Sequence, residues 1–217
     1  MIGAVYFGYG GVLSPGRPVD DFRKIPSAYF DPAPDPKSQR YLEPEFFHFL
    51  NWQLEDAAIT TADYFDELSM RFNPFGHPYA EEEYVSQSPS FRRHERVYDL
   101  AAKLRENGIT TGILANIPVI DRQLLAARGA FEGFSPIVIS TDSSKANPDT
   151  LTVHEAESRI GRCAREVLYV HDKAVHCYGP YPIVAVTGNM QHFTAKNPRQ
   201  VVRRIMAMVR RQNGISL

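Results

Sequence analysis

The sequence has few cysteines and almost no net charge, and each of these absences excludes a class of protein. Its 217 residues include two cysteines, Cys163 and Cys177, which are too few for a disulfide framework and lack the spacing of metal ligands. We expect two buried free thiols, and a single disulfide between them is the alternative. The formal net charge is −1, so the charge balance gives no reason to expect a nucleic-acid or membrane partner.

Long apolar runs are also absent, since none approaches the roughly 20 residues of a membrane-spanning helix. The apolar run at 2–7 is short, has no positively charged start and no cleavage site, and therefore predicts a first strand and not a signal peptide. We expect a cytoplasmic protein. Hydrophobic residues make up 43% of the chain and charged residues 23%, a composition typical of a globular protein that buries its own core.

Short apolar runs alternate with helical patterns over much of the chain. Strands are predicted at 2–7, 109–114, 137–140, 167–170 and 183–186. Runs this short and continuously apolar are typical of a parallel sheet that is covered on both faces. Helices are predicted at 93–107, 119–128, 149–160 and 198–212. The first has an apolar face and a stop signal at Gly108, the face being Val97, Leu100, Ala101 and Leu104. The predicted fold class is α/β with a Rossmann-like parallel sheet.

The last predicted helix is rich in arginine. Its polar side carries Arg199, Arg203, Arg204, Arg210 and Arg211. These side chains could form a basic patch for an acidic partner. The interpretation we favour from the sequence is a solvated face, whose last pair lies near the helix C-terminus, where positive charge is stabilising.

The segment 14–90 interrupts the alternation of strands and helices. Its first part, 14–40, is rich in proline and aspartate and predicts an extended connection. A helix is predicted near 44–54, and Thr60 with Asp63 three residues later predicts the start of another helix that runs to about 72. The predicted organisation is an α/β core formed by 1–13 and 91–217, with 14–90 as a small helical cap and its proline-rich connection.

Four segments, in this order along the chain, resemble the motifs of the haloacid dehalogenase-like (HAD-like) superfamily. They are AVYFGYGGVL at 4–13, TGILANIP at 111–118, SSKANPDTLTVHEAESRIG at 143–161 and EVLYVHDKAV at 166–175. In addition, EDAAITTADYFDEL at 55–68 resembles the cap segment of the epoxide-hydrolase-N-terminal and sugar-phosphatase-like branch. The resemblance implies a Rossmann-like core whose site lies at the carboxyl ends of the parallel strands, which is also the general rule for open parallel sheets.

The residues that would perform the chemistry of this family are replaced. The resemblance implies an aspartate nucleophile in the first motif, and Gly8 stands there, with Gly10 at the position of a second aspartate. In the second motif, Ala115 replaces the serine or threonine that the resemblance implies, and Asn116 follows it. Asn147 replaces the lysine of the third motif, although Lys145 lies two residues earlier, and in the fourth motif His171 precedes the remaining Asp172.

These replacements predict a catalytically degenerate HAD-like protein, a pseudoenzyme that binds a small anionic ligand or a protein partner, or that forms a homodimer. The expected ligand-binding cleft comprises Gly8, Tyr9, Gly10, Ala115, Asn116, Lys145, Asn147, His171 and Asp172. We expect no catalytic residue, metal or cofactor. The alternative is a divergent hydrolase of phosphatase or dehalogenase type with relocated catalytic groups. In that case His171 and Asp172 are the candidates, and magnesium would depend on Asp172 alone.

Overall fold

Within the residues that the structure describes, the fold is a five-stranded, fully parallel sheet with helices on its two faces. The computed structural model describes residues 1–15, 49–50, 53–54, 57–72, 92–143, 150–172, 190–195 and 197–217. The strands are β1 (Ala4–Phe7), β2 (Thr110–Ala115), β3 (Ile137–Ile139), β4 (Val167–Asp172) and β5 (Gln191–Ala195). Their order across the sheet is β3-β2-β1-β4-β5, and every neighbouring pair is parallel. The predicted α/β class and parallel sheet are therefore confirmed.

The apolar runs became strands because they are buried on both sides. All of β1 is buried, and β2 and β4 flank it in a register that pairs Phe7 with Ile113 on one side and with Val170 on the other. The predicted strands at 2–7, 109–114, 137–140 and 167–170 match these elements within a few residues. The one predicted at 183–186 lies outside the described residues, and β5 was not predicted.

The core helices that the structure describes are α2 (Glu95–Glu106), α3 (Val119–Ala127), α4 (Ser140–Ser143), α5 (Thr150–Ile160) and α6 (Pro198–Asn213), with a short 3-10 helix at Ala164–Glu166. Four of them, α2, α3, α5 and α6, follow the sequence pattern, whereas α4 and the 3-10 helix were not predicted. In α2 the buried residues are the predicted ones, Val97, Leu100, Ala101 and Leu104, and the chain leaves the helix through Gly108 at φ +75°. None of the described helices is long and apolar enough to cross a membrane.

Between β1 and α2 the structure describes the helix α1 (Thr61–Phe72). Its start is the predicted capping arrangement, because the Asp63 N–H donates to Thr60 Oγ1 at 3.1 Å and the Thr60 N–H donates to Asp63 Oδ2 at 2.9 Å. Of the helix predicted near 44–54, residues 49–50 and 53–54 are described and are helical. Most of the proline-rich connection lies outside the described residues, and the division into core and cap remains a prediction.

Each face of the sheet is covered by its own cluster of buried residues. The larger cluster includes Val5, Phe7, Leu168 and Val170 from the strands, and residues of α2 and α6 pack against them. The smaller cluster includes Tyr6 and Tyr169 of β1 and β4. The exposed Cys163 is a free thiol, so the expected burial is wrong for this residue, while Cys177 lies outside the described residues.

Buried tyrosines make the stability of this core sensitive to high pH. Burial is the largest cause that raises the pKa of Tyr6, Tyr9 and Tyr98, and for Tyr98 the pKa is raised to about 12. An unfolded tyrosine loses its proton near pH 10. Above that pH the unfolded state is deprotonated while the folded state still holds its protons, so the stability present below pH 10 is lost as the pH rises toward 12.

We therefore expect the urea midpoint of unfolding to fall steeply between about pH 10 and about pH 12. The Tyr98→Phe variant should show a smaller fall over the same range, because one of the shifted groups is gone. The measurement is a urea titration at several pH values, with tyrosinate absorbance recorded in parallel. A full set of phenolates that forms near pH 10 in a protein that is still folded would contradict this expectation.

Candidate functional site

The carboxyl ends of the three central strands meet at one edge of the sheet. β1 ends at Phe7 and is followed by Gly8, whose N–H donates to the Val170 carbonyl at 2.7 Å. On one side, β2 ends in Ala115 and is followed by Asn116. On the other side, β4 ends in His171 and Asp172. The sheet order therefore brings together residues from three of the four motifs, as predicted for a site at the strand ends.

Gly8 lies against the backbone of β4. A Cβ atom at this position would be 3.2 Å from the Val170 carbonyl oxygen and 3.4 Å from His171 Cα. The φ of Gly8 is not in the left-handed region, so a side chain here is restricted by this close approach and not by the backbone angle. In the protein as it stands, position 8 offers no side chain to the site, and its N–H group is engaged within the sheet.

His171 is buried among other rings. The residue is only 4% exposed. The centre of its ring lies 5.3 Å from that of Tyr169 and 5.8 Å from that of His192, and the planes of the two imidazoles differ by 30°. Tyr169 in turn donates its hydroxyl to the Leu114 carbonyl at 3.2 Å. The imidazole that replaces the first acid of the fourth motif is thus packed against Tyr169, a member of the smaller core cluster.

Tyr9, which we expected in the cleft, has its ring in the larger core cluster. It is 2% exposed and packs edge-on against Phe131 at 6.2 Å. Burial is the largest cause that raises the pKa of its hydroxyl, and nearby Tyr98 and Asp121 raise this pKa further. Beyond Tyr9 the chain turns back tightly, since the Leu13 N–H donates to the Tyr9 carbonyl at 2.9 Å.

Two buried polar residues near the strand ends were missed by the sequence reasoning. Ser140 follows β3, is fully buried, and its hydroxyl accepts a hydrogen bond of 3.3 Å from the Ile117 N–H. Asp121, in the first turn of α3, is 1% exposed. An acid in the first turn of a helix is a common stabilising feature, so the sequence signal for Asp121 existed but did not indicate its burial.

Other predicted residues cannot be placed in the site. Lys145 and Asn147 lie outside the described residues, as does the side chain of Asp172. Ala115 is 5% exposed and has no hydroxyl, so it provides no polar group. Gly10 forms an isolated parallel bridge with Ser14 just after β1.

The described residues at the strand ends do not fit magnesium. Magnesium prefers carboxylate oxygens as protein ligands, and the positions next to each other on β1 and β4 hold glycine and a buried imidazole. Within the ranges that the structure describes, no group of three His, Cys, Asp or Glu residues is placed to hold a metal ion. No catalytic step through a metal follows from these side chains.

Solved structures share the architecture of this chain. Neither the known protein-family models nor the curated protein sequences match it. A predicted HAD-like family hydrolase from Porphyromonas gingivalis is 19% identical, with 98% of this chain and 100% of that chain covered at a TM-score of 0.69. A HAD family enzyme from Bacteroides thetaiotaomicron, solved in complex with magnesium and inorganic phosphate, is 18% identical over 90% of this chain and 95% of that chain, with a TM-score of 0.62.

A further similar structure is CbbY from Rhodobacter sphaeroides in complex with phosphate. It is 15% identical, with 80% of this chain and 79% of that chain covered at a TM-score of 0.51. Structural matches at identities this low establish the fold alone and leave the activity open, since one fold can carry unrelated sites. Together with the order and direction of the five strands, they show that the chain has the haloacid dehalogenase-like fold.

Proposed function

We propose that this chain is a non-catalytic HAD-like protein that binds a small anion at the carboxyl ends of its strands. The observation that carries the proposal is the pair of neighbouring positions at the ends of β1 and β4. Gly8 has no side chain, and a Cβ atom at this position would lie against the backbone of Val170 and of the buried His171. A covalent mechanism of the kind that the resemblance implies needs a nucleophile at the first of these positions.

The expected loss of turnover is large enough to support this proposal. Removing the nucleophile from an enzyme that uses covalent catalysis lowers turnover by on the order of 10⁶, which corresponds to about 8 kcal/mol of the activation barrier. The neighbouring positions at the ends of β1 and β4, where the resemblance implies carboxylates that would hold a metal, are also a glycine and an imidazole. Two independent parts of the chemistry are therefore missing at the same place.

An anion is the ligand class that the remaining groups favour. The replacement of acids by Gly8 and His171 removes negative charge from the strand ends, so an anion meets less repulsion there. Asn116, which follows β2, is partly exposed, and Lys145 and Asn147 are the further polar residues that the family resemblance implies for the cleft. Two of the similar structures were solved with phosphate bound, which supports a phosphate or carboxylate group as the ligand.

The test is a titration with inorganic phosphate, followed by calorimetry in the presence and absence of magnesium. We expect binding that magnesium does not strengthen and that Lys145→Ala weakens by about tenfold, because a charge-assisted hydrogen bond is lost. The matched control is Lys103→Ala, which removes an exposed lysine of α2. Absence of binding at millimolar phosphate, or binding that appears only with magnesium, would contradict the proposal.

A divergent hydrolase is the second candidate, and the contact between His171 and His192 is the observation that favours it. Two imidazoles at the end of β4 and along β5 provide a proton acceptor near the strand ends. In that case some substrate is turned over, and His171→Ala abolishes the reaction. A variant that keeps its full rate would remove this candidate.

A further inference from the structure

The outer face of α6 concentrates positive charge without any acid. All five arginines of this 16-residue helix are exposed, and the helix contains no aspartate, glutamate or lysine. The formal net charge of the whole chain is −1, so the rest of the chain carries an excess of negative charge. The helix packs on α2 and β5 through the buried Val201, Ile205 and Val209. The arginines lie on its other, outer side, and we treat them as a surface separate from the anion site at the strand ends.

The arginines are arranged as two pairs, two helical turns apart. Arg203 and Arg204 form the first pair and Arg210 and Arg211 the second, seven residues later, which is about 10.5 Å along the helix axis. Between the pairs lie Ala207, which is exposed, and Met206, which is 36% exposed. We call this surface the arginine face; it comprises Arg199, Arg203, Arg204, Met206, Ala207, Arg210 and Arg211.

The stability of the helix itself does not account for this arrangement. Positive charge is favourable near a helix C-terminus, which accounts for Arg210 and Arg211. Arg199 lies in the first turn, where positive charge is unfavourable, and Arg203 and Arg204 lie in the middle. Among the residues that the structure describes, the arginines that form ion pairs are Arg122 and Arg159, and none of the arginines of α6 does.

One of these guanidinium groups is already held in place. Arg204 lies over the ring of Phe193 in β5, 4.3 Å from the ring centre, and Phe193 is only 4% exposed. A guanidinium that is fixed before binding loses less freedom when it meets a carboxylate. Arginine also binds carboxylates through two parallel hydrogen bonds and is more weakly hydrated than lysine. Arginine and methionine are both enriched at protein interfaces, whereas lysine is depleted.

From this geometry we propose that the arginine face binds an acidic amphipathic helix of a partner protein. Its carboxylates would lie in pairs seven residues apart, opposite the two arginine pairs, and a small apolar side chain between them would contact Met206 and Ala207. The apolar step between the pairs is what favours a protein partner, because the charged contacts of a nucleic-acid backbone are a continuous row of phosphates, whereas a helix can place an apolar side chain between two pairs of carboxylates.

The test uses a labelled synthetic helical peptide with two glutamate pairs seven residues apart and leucine between them, added to the full-length protein at low salt. Fluorescence anisotropy should show binding, which weakens by at least about tenfold in the Arg203→Glu/Arg210→Glu variant, because like charges then face each other. The control variant is Arg162→Glu/Arg165→Glu, which makes the same change in net charge at two exposed arginines elsewhere. Binding to the control should change by less than about threefold at an ionic strength where distant charges are screened.

A second comparison separates a specific surface from a general affinity for anions. A peptide of the same composition with its glutamates scrambled, and a single-stranded oligonucleotide, should bind more weakly than the designed peptide, and Met206→Ser should weaken only the designed peptide. No binding of the designed peptide, equal losses in the two double variants, or equal binding of the oligonucleotide would each overturn the proposal. Thermal unfolding that is unchanged in all variants confirms that the helix itself is intact, as expected for exposed substitutions.

Discussion

The Gly112→Ala variant is expected to be about 3 kcal/mol less stable than the native protein, or not to fold at all. Gly112 pairs with Tyr6 across β2 and β1, and the tyrosine ring occupies the space that a side chain at Gly112 would need. A Cβ atom at this position would be 2.5 Å from Tyr6 Cε1 and 2.7 Å from the Pro136 carbonyl oxygen. Both distances are far below van der Waals contact.

The neighbours of Gly112 cannot move away easily. Tyr6 is fully buried and its hydroxyl donates to the Ala156 carbonyl at 2.7 Å, so a shift of the ring breaks a buried hydrogen bond. Pro136 contributes a backbone atom, and its carbonyl already accepts the Ile113 N–H at 3.0 Å. Relief of the overlap therefore requires separation of β2 from β1 or from the chain that leads into β3.

The measurement is thermal and urea unfolding of Gly112→Ala beside Gly3→Ala. At Gly3, which precedes β1, a Cβ would be 3.4 Å from the Arg162 side chain, a flexible neighbour at ordinary contact distance. We expect the Tm of Gly112→Ala to fall by roughly 6 to 12 °C, and that of Gly3→Ala to change little. Equal stability of the two variants would contradict the close packing of Tyr6 on Gly112.

The central strands and the core helices could be predicted because burial dominates their sequences. A strand such as β1, buried along its whole length, leaves an apolar run that few other structures explain. The strand β5 was missed for the opposite reason. It is at the edge of the described sheet, its only described buried residue is Phe193, and Gln191, His192 and Thr194 are partly exposed. An edge strand of this kind has too few apolar residues to stand out.

The candidate site could be predicted in part. The order of the motifs placed Gly8 and His171 at the ends of neighbouring strands, and the register of β1 and β4 bears this out. The stacking of His171 on His192 could not be predicted, because it depends on the pairing of β4 with β5, a strand that the sequence did not reveal. For Tyr9 a signal existed: alternation along an extended chain predicts that residues 8 and 9 point to opposite faces.

No magnesium-dependent hydrolysis of phosphate monoesters or haloacids is expected from the native protein. The position of the nucleophile holds Gly8, and the buried His171, near the end of β4, replaces the first acid of the fourth motif. A loss on the order of 10⁶ in turnover takes a typical enzyme from about ten turnovers per second to roughly one per day. The expected difference from an active member of the same fold is therefore large enough for any standard assay.

Two variants at position 8 distinguish the effect of a nucleophilic carboxylate from the effect of side-chain size. Gly8→Asp supplies the missing carboxylate, and Gly8→Asn supplies the same shape without its negative charge or nucleophilic oxygen. Both must fit a Cβ at 3.2 Å from the Val170 carbonyl oxygen, so both shift β4 by the same few tenths of an ångström. Turnover that appears in Gly8→Asp and not in Gly8→Asn would show that the remaining groups of the cleft still support the chemistry.

The most direct test is the hydrolysis of a panel of phosphate monoesters and haloacids by the repurified native protein, with and without magnesium, beside Gly8→Asn. We predict that both proteins give only the background rate and that magnesium makes no difference. Magnesium-dependent turnover by the native protein, at a rate that survives further purification, would contradict it and would show that the catalytic groups lie elsewhere in the fold.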